Sequence, residues 1–173
     1  MENYLKMTSL LFCIILTISC NKRTENNMNY FDFDELESYH KEISTDDITK
    51  QHEKMIDHHN NVTFKILEEE YPKIINDSFI NELIKFDYKK KIISNSKYKD
   101  INIFFSKRNC DEFKKSACAP IYRDVLIFKK NDEIIGIAKI CFRCETGYII
   151  GLKQNLHYFG ECGNYKNLQN LIK

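Results

Sequence analysis

The fold of this chain is decided by residues 121–142, which read IYRDVLIFKKNDEIIGIAKICF. Residues 121–129 are rich in Ile, Tyr, Val and Phe, the residue types that favour β-strands. Lys130-Asn131-Asp132 is typical of a tight turn, and residues 133–142 return to a strand-like composition. We therefore predict that these residues form an antiparallel β-hairpin.

Further elements are predicted on both sides of this hairpin. Strands are expected at residues 101–105 and 147–151, and a closing helix at residues 164–172. Before them, helical spacing of apolar residues predicts three helices, at residues 34–43, from Asp46 and Asp47 onward, and at residues 78–86. We expect the run Lys89-Lys90-Lys91 to end the last of these helices.

This order of elements predicts an α+β fold, because helices come first and strands follow. We expect N-terminal helices, a small antiparallel sheet of three to four strands and a C-terminal helix. The chain of 173 residues has 26 Lys and Arg against 25 Asp and Glu, a net charge of +1. That balance excludes a strongly basic nucleic-acid-binding protein, so we expect no nucleic-acid partner.

The amino terminus, MENYLKMTSLLFCIILTISC, has the pattern of an export signal. Lys6 precedes an apolar run over residues 10–16, which is shorter than the roughly 20 residues needed to span a bilayer. The apolar run stops at Ser19-Cys20, and a polar, Asn-rich stretch follows.

Thr17-Ile18-Ser19-Cys20 resembles the lipobox of bacterial lipoproteins, although Thr17 replaces the usual leucine. The resemblance implies that residues 1–19 are removed and that Cys20 carries fatty acids such as palmitate, which anchor the protein in a membrane. Asn21 after the cysteine resembles the sorting signal for the outer membrane of Gram-negative bacteria. Residues 118–144 also resemble uncharacterised lipoproteins of these bacteria, a resemblance that implies no particular activity.

The expected organisation is a signal peptide at residues 1–19, a lipidated tether at residues 20–33 and one α+β domain at residues 34–173. Cys13 is removed with the signal and Cys20 is lipidated. The remaining candidates for disulfides, expected in an oxidising compartment, are Cys110, Cys118, Cys141, Cys144 and Cys162. Two pairings are considered, one between Cys110 and Cys118 and one that joins Cys162 to Cys141 or Cys144.

Two other uses of these cysteines remain open. The spacing of Cys141, Cys144, His157 and Cys162 matches a zinc-finger ligand set, although residues 148–156 do not favour the helix such a site needs. Cys141-Phe142-Arg143-Cys144 also has the spacing of a thiol-redox motif, but no helix start is predicted after it.

The predicted function is that of a lipid-anchored extracytoplasmic protein with a binding or envelope role rather than a catalytic one. The chain contains no G-x-S-x-G elbow, G-x-G-x-x-G fingerprint or phosphate-binding P-loop. No cofactor is expected, apart from zinc in the alternative interpretation. That alternative is a zinc-binding or thiol-redox envelope protein using Cys141, Cys144, His157 and Cys162.

Overall fold

The structure is a computed structural model that describes residues 30–54, 61–106, 117–151 and 163–173. The predicted signal peptide, Cys20 and most of the predicted tether lie outside the described residues, as do Cys110, His157 and Cys162. Among the described residues, no helix has the length and apolar character needed to cross a membrane.

A five-stranded antiparallel sheet forms the centre of the domain. Its strands are β1 (Glu35–His40), β2 (Lys89–Ile92), β3 (Asp124–Lys130), β4 (Glu133–Cys141) and β5 (Thr146–Gly151). Their order across the sheet is β2-β1-β3-β4-β5, and every neighbouring pair is antiparallel. The predicted α+β class and antiparallel sheet are confirmed, whereas the expected number of three to four strands is too low.

The described residues also contain five α-helices. They are α1 (Thr45–Lys54), α2 (Val62–Glu68), α3 (Ser78–Lys85), α4 (Tyr98–Phe104) and α5 (Tyr165–Ile172). A short 3₁₀ turn, Asn95–Lys97, precedes α4. The predicted C-terminal helix is confirmed as α5, and the helix expected at residues 78–86 is confirmed as α3.

The predicted hairpin is confirmed by the pairing of β3 with β4. Asn131 and Asp132 form its turn, with φ angles of 50° and 65°. Positive φ at both central positions is the geometry of a type I′ turn, whose twist matches that of the flanking strands. The register pairs Lys130 with Glu133 and shifts between Phe128 and Lys129.

Two predicted elements are of the wrong type. The helix expected at residues 34–43 is replaced by β1, which lies between β2 and β3 and buries Leu36 and Tyr39 on opposite faces of the sheet. The strand expected at residues 101–105 is helical in α4, because Ile101, Phe104 and Phe105 meet one core at helical spacing.

Two local details also differ from expectation. Lys89-Lys90-Lys91 does not simply end a helix, because these residues form most of β2, an exposed edge strand. Ser44, rather than Asp46 or Asp47, caps α1. The backbone N–H of Asp47 donates to Ser44 Oγ at 3.0 Å.

Apolar cores lie on both faces of the sheet. The first packs α1, α2 and α3 against residues such as Tyr39, Ile127 and Ile137. The second packs α4 and α5 against the opposite face and also contains Phe31 and Phe33. These two phenylalanines, which sequence patterning placed in the tether, are 2% and 8% exposed and belong to the folded domain.

Candidate functional site

A cluster of sulfur and aromatic side chains lies at the end of the sheet where β4 turns into β5. Cys118, in the segment before β3, forms a disulfide with Cys144, in the turn between β4 and β5. Their Cα atoms are 5.6 Å apart, within the usual range for a disulfide. The expectation of a disulfide is thereby met, but Cys118 does not pair with Cys110. The antiparallel sheet brings it beside a turn 26 residues away instead.

Cys141, the last residue of β4, is a free thiol only 2% exposed. It packs with Cys144 and Tyr122, and Cys118 and Tyr148 lie against the same cluster. The backbone N–H of Ile121 donates to Cys141 Sγ at 3.4 Å. A free thiol is therefore packed beside an existing disulfide.

The structure describes two of the four residues of the alternative site, Cys141 and Cys144, which pack in the same cluster. Cys144 is bonded to Cys118 and not to Cys141, whereas the redox interpretation requires a Cys141–Cys144 pair. His157 and Cys162 lie outside the described residues. Among the residues that are described, no group of three or more His, Cys, Asp or Glu side chains is placed to hold a metal ion.

Lys139 lies beside this cluster and is 0% exposed. Its ammonium donates to two carbonyl oxygens at the carboxyl end of α2, those of Lys65 and Glu69. Nζ also lies 4.5 Å from the ring centre of Tyr122 and 5.6 Å from that of Tyr148. Carbonyl dipoles and aromatic faces both attract a cation, so this enclosure compensates part of the cost of burying Lys139.

The electrostatics of this enclosure are unusual. Burial lowers the pKa of Lys139 to about 7, although the carboxylates of Glu69 and Glu70 oppose the shift. Burial has the opposite effect on Tyr122 and raises its pKa to about 12. Because Lys139 has no exposed surface, its amine holds α2 on the sheet rather than facing a substrate. Sequence reasoning missed this residue, although a lysine within the apolar run IIGIAKICF was a visible signal.

Glu37 of β1 is a second buried charge, and different groups stabilise it. Its side chain is 1% exposed and accepts from Lys90 and Lys129, each at 2.6 Å, and from the Tyr39 hydroxyl at 2.7 Å. Burial alone would raise the pKa of Glu37, but these hydrogen bonds lower it to about 2. The carboxylate is therefore ionised and ties three neighbouring strands together.

His40 and Asp124 form a third polar pair, at opposed positions of β1 and β3. His40 Nδ1 lies 2.7 Å from Asp124 Oδ1, and the side chains are 42% and 9% exposed. Burial raises the pKa of Asp124, while His40 opposes the shift. Such a pair can orient a general base. In the described part of the chain, however, no Ser, Thr or Cys side chain is hydrogen-bonded to His40.

An open cleft of about 400 Å³ lies where the segment after β1 meets α1, α2 and the end of α3. Most of its lining is polar and carries charges of both signs. Its charged and amide side chains are those of Lys41, Glu42, Asp47, Gln51, Lys85 and Asp87. We name it the polar cleft. It offers room for a small ligand, which the enclosed Lys139 does not.

The chain was compared with protein-family models, with curated proteins and with solved structures, and none of them matches it. Its function is therefore inferred from the chemistry of its own residues. The features available for that inference are the amino-terminal sequence, the sulfur cluster and the polar cleft.

Proposed function

We propose that this chain is a lipid-anchored protein of the bacterial cell envelope, with Cys20 as the lipid attachment site and residues 1–19 as the cleaved signal. Its domain lies on the oxidising side of the membrane, and the outer membrane is its destination. There the domain acts by binding rather than by catalysis.

The observation that carries this proposal is the Cys118–Cys144 disulfide. Disulfides persist in extracytoplasmic compartments and are rare in the reducing cytosol. The export-type amino terminus points to the same compartment, and it is independent of the disulfide because it lies in a different part of the chain.

The polar cleft supports the binding role. The same open space is lined by side chains of opposite charge. The positive ones are Lys41 and Lys85, and the negative ones are Glu42, Asp47 and Asp87. Charges of both signs suit a zwitterionic ligand, such as an amino acid or a short peptide, because each end of the ligand meets an opposite charge.

The anchoring proposal is tested by metabolic labelling of the full chain with a clickable palmitate analogue, followed by membrane fractionation. Wild type is expected to carry the label and to remain in the membrane fraction. Cys20→Ala should lose the label and accumulate as the unprocessed precursor. Cys13→Ala is the matched control, because Cys13 lies within the cleaved signal and is not the acylation site, and it should behave as wild type. Undiminished labelling of Cys20→Ala would refute the anchoring proposal.

The binding proposal is tested by thermal-shift screening of the full chain against amino acids and dipeptides. A ligand of the polar cleft should raise the melting temperature of wild type, because it binds only the folded state. The double variant Glu42→Ala/Gln51→Ala should lose that shift. Glu133→Ala/Asn170→Ala, exposed positions outside the cleft, should keep it. A shift retained in both double variants would exclude this cleft.

The second candidate function, zinc or thiol chemistry at Cys141, Cys144, His157 and Cys162, makes a distinct prediction. Zinc requires Cys144 as a free thiolate, so it requires prior reduction of the Cys118–Cys144 disulfide. Metal analysis of the full chain after reduction, and again after oxidation, tests this. Stoichiometric zinc in the reduced chain alone would support the zinc site, and its absence from both would reject it.

A further inference from the structure

The turn between β4 and β5 brings two cysteines close together, although they are not bonded to each other. Cys141 ends β4, residues 142–145 form the turn, and Cys144 is three positions after Cys141. Cys141 is paired with Thr146 across the turn, and its side chain packs with that of Cys144 in one buried cluster. A disulfide needs Cα atoms about 4.4–6.8 Å apart, a separation that a chain reversal allows for two residues three positions apart. The turn is therefore compatible with a Cys141–Cys144 disulfide.

The same segment of chain contacts the sulfur atoms of both cysteines. The Ile121 N–H donates to Cys141 Sγ at 3.4 Å, and Cys144 Sγ lies 3.4 Å from the carbonyl oxygen of Ala119. Cys141 and Cys144 also pack together against Tyr122. Cys144 is thus bonded to Cys118 and packs beside Cys141, which carries a free thiol.

We propose that Cys141 is the internal nucleophile of a thiol–disulfide exchange that moves the disulfide from Cys118–Cys144 to Cys141–Cys144. The Cys141 thiol loses its proton, and its sulfur attacks Cys144 Sγ. The 141–144 bond forms as the 118–144 bond breaks, and the electron pair passes to Cys118 Sγ, which takes up a proton. One disulfide and one thiol are present before and after, so the step needs no external oxidant or reductant.

The exchange changes which thiol is accessible. Cys141 is 2% exposed and Cys144 is 7% exposed, whereas Cys118 is only partly buried and adjoins the exposed Ala119. The free thiol therefore moves from an enclosed position to a partly exposed one. The exchange also frees the segment that contains Cys118 from its covalent bond to the β4–β5 turn. The released Cys118 thiol would react with the disulfide of another protein, a role that does not depend on the proposed lipid anchor or on the polar cleft.

Peptide mapping can follow this exchange because trypsin separates the three cysteines. Cys118 falls in residues 116–123, Cys141 in residues 140–143 and Cys144 in residues 144–153. The oxidised full chain is held at mildly alkaline pH, where more of each thiol is ionised, and samples are quenched with acid at intervals. Free thiols are then alkylated in denaturant under acidic conditions that prevent further exchange, and the chain is digested without reduction.

The expected result is a transfer of the alkyl label from Cys141 to Cys118 with time, matched by growth of the linked pair 140–143/144–153. In Cys141→Ser the Cys118–Cys144 link should stay constant and Cys118 should never be labelled. Label that remains on Cys141 alone, with the Cys118–Cys144 link unchanged throughout, would overturn the proposal. Label on Cys118 in the Cys141→Ser variant would overturn it too, because another group would then be the nucleophile. The two possible readings on wild type, transfer of the label to Cys118 or its retention on Cys141, do not depend on whether any variant folds.

Discussion

Lys139 and Tyr148 face one another across β4 and β5, with the lysine Nζ 5.6 Å from the centre of the tyrosine ring. The Tyr148 hydroxyl in turn donates to the carbonyl oxygen of Pro72 at 2.9 Å. The pair thus connects the sheet with the end of α2 and with the segment that follows it. Because Lys139 is fully enclosed, its protonation couples the stability of this region to pH.

The Lys139→Met variant should remove a pH dependence of stability. The pKa of Lys139 is about 7 in the folded chain, against an ordinary value of 10.5, so between these values the unfolded chain binds more protons. Stability of the wild type should therefore rise with pH in this window, by up to about 1.4 kcal/mol per pH unit from this group. Urea unfolding between about pH 7 and 9 measures the slope, and comparison with the variants cancels the contribution of the tyrosines.

Lys130→Met is the matched control for this experiment, because Lys130 also lies in the hairpin but its side chain is 38% exposed. It should retain the wild-type slope, whereas Lys139→Met should be flatter. Equal slopes in all three proteins would show that Lys139 keeps an ordinary pKa in the folded state.

Glu37→Gln should destabilise the domain and weaken its response to acid. The folded pKa of Glu37 is about 2 and its ordinary value is 4.5, so its contribution is present above pH 4.5 and is lost as pH falls toward 2. Loss of the charged acceptor should cost about 2 kcal/mol at pH 7. Denaturant unfolding at pH 7 and pH 3 should show a smaller difference for the variant than for wild type. Glu35→Gln, whose carboxylate is 39% exposed, should cost much less, and an equal cost would contradict the role given to Glu37.

Gly136→Ala should be strongly destabilising because Phe31 occupies the space of the missing side chain. A Cβ at Gly136 would lie 2.0 Å from Phe31 Cε1, and the ring is held by stacking on Phe128 at 4.1 Å. We expect a loss of about 2–3 kcal/mol in the free energy of unfolding. At Gly147 the nearest atom would be 3.1 Å away, so Gly147→Ala should cost less.

A double-mutant cycle checks the cause of the Gly136 effect. Phe31→Leu removes the ring that the new methyl group meets, so the combined variant should be more stable than the sum of the two single changes predicts. Simple additivity of the two losses would show that the strain lies elsewhere.

Asp132→Gly should stabilise the hairpin. Asp132 has a φ of 65°, a conformation that glycine adopts without steric cost and that follows Asn131 in a type I′ turn. The expected gain is about 0.5–1 kcal/mol in thermal or urea unfolding. Asp132→Val should be destabilising, because a β-branched residue is strained at positive φ. A loss of stability in the glycine variant would exclude turn strain as the dominant effect.

The sequence predicts the elements whose partners are close in the chain. The β3–β4 hairpin has its turn and both strands within residues 124–141, and local residue preferences are sufficient to identify it. By contrast, β1 pairs with β3, so that Glu35 lies opposite Lys129. The helical preference of ELESYH is overcome by a pairing between segments about 90 residues apart, which local patterning does not contain.

The candidate site shows the same limit. Cysteine counting identifies Cys118 and Cys144 as disulfide candidates, because the residue type itself carries the chemistry. Their pairing depends on how the sheet folds back, and so it could not be chosen from spacing. Lys139 could be noticed in the sequence, but its enclosure by Tyr122 and by the end of α2 exists only in the folded chain.

The position of β2 has a consequence for how copies of this domain meet. Lys89, Lys90 and Lys91 occupy three of its four residues, and the strand lies at one edge of the sheet. A second domain that approached with the same edge would bring rows of ammonium groups together, and their repulsion opposes sheet-to-sheet association. This edge therefore resists pairing with the same edge of a second copy, even where many copies are crowded together.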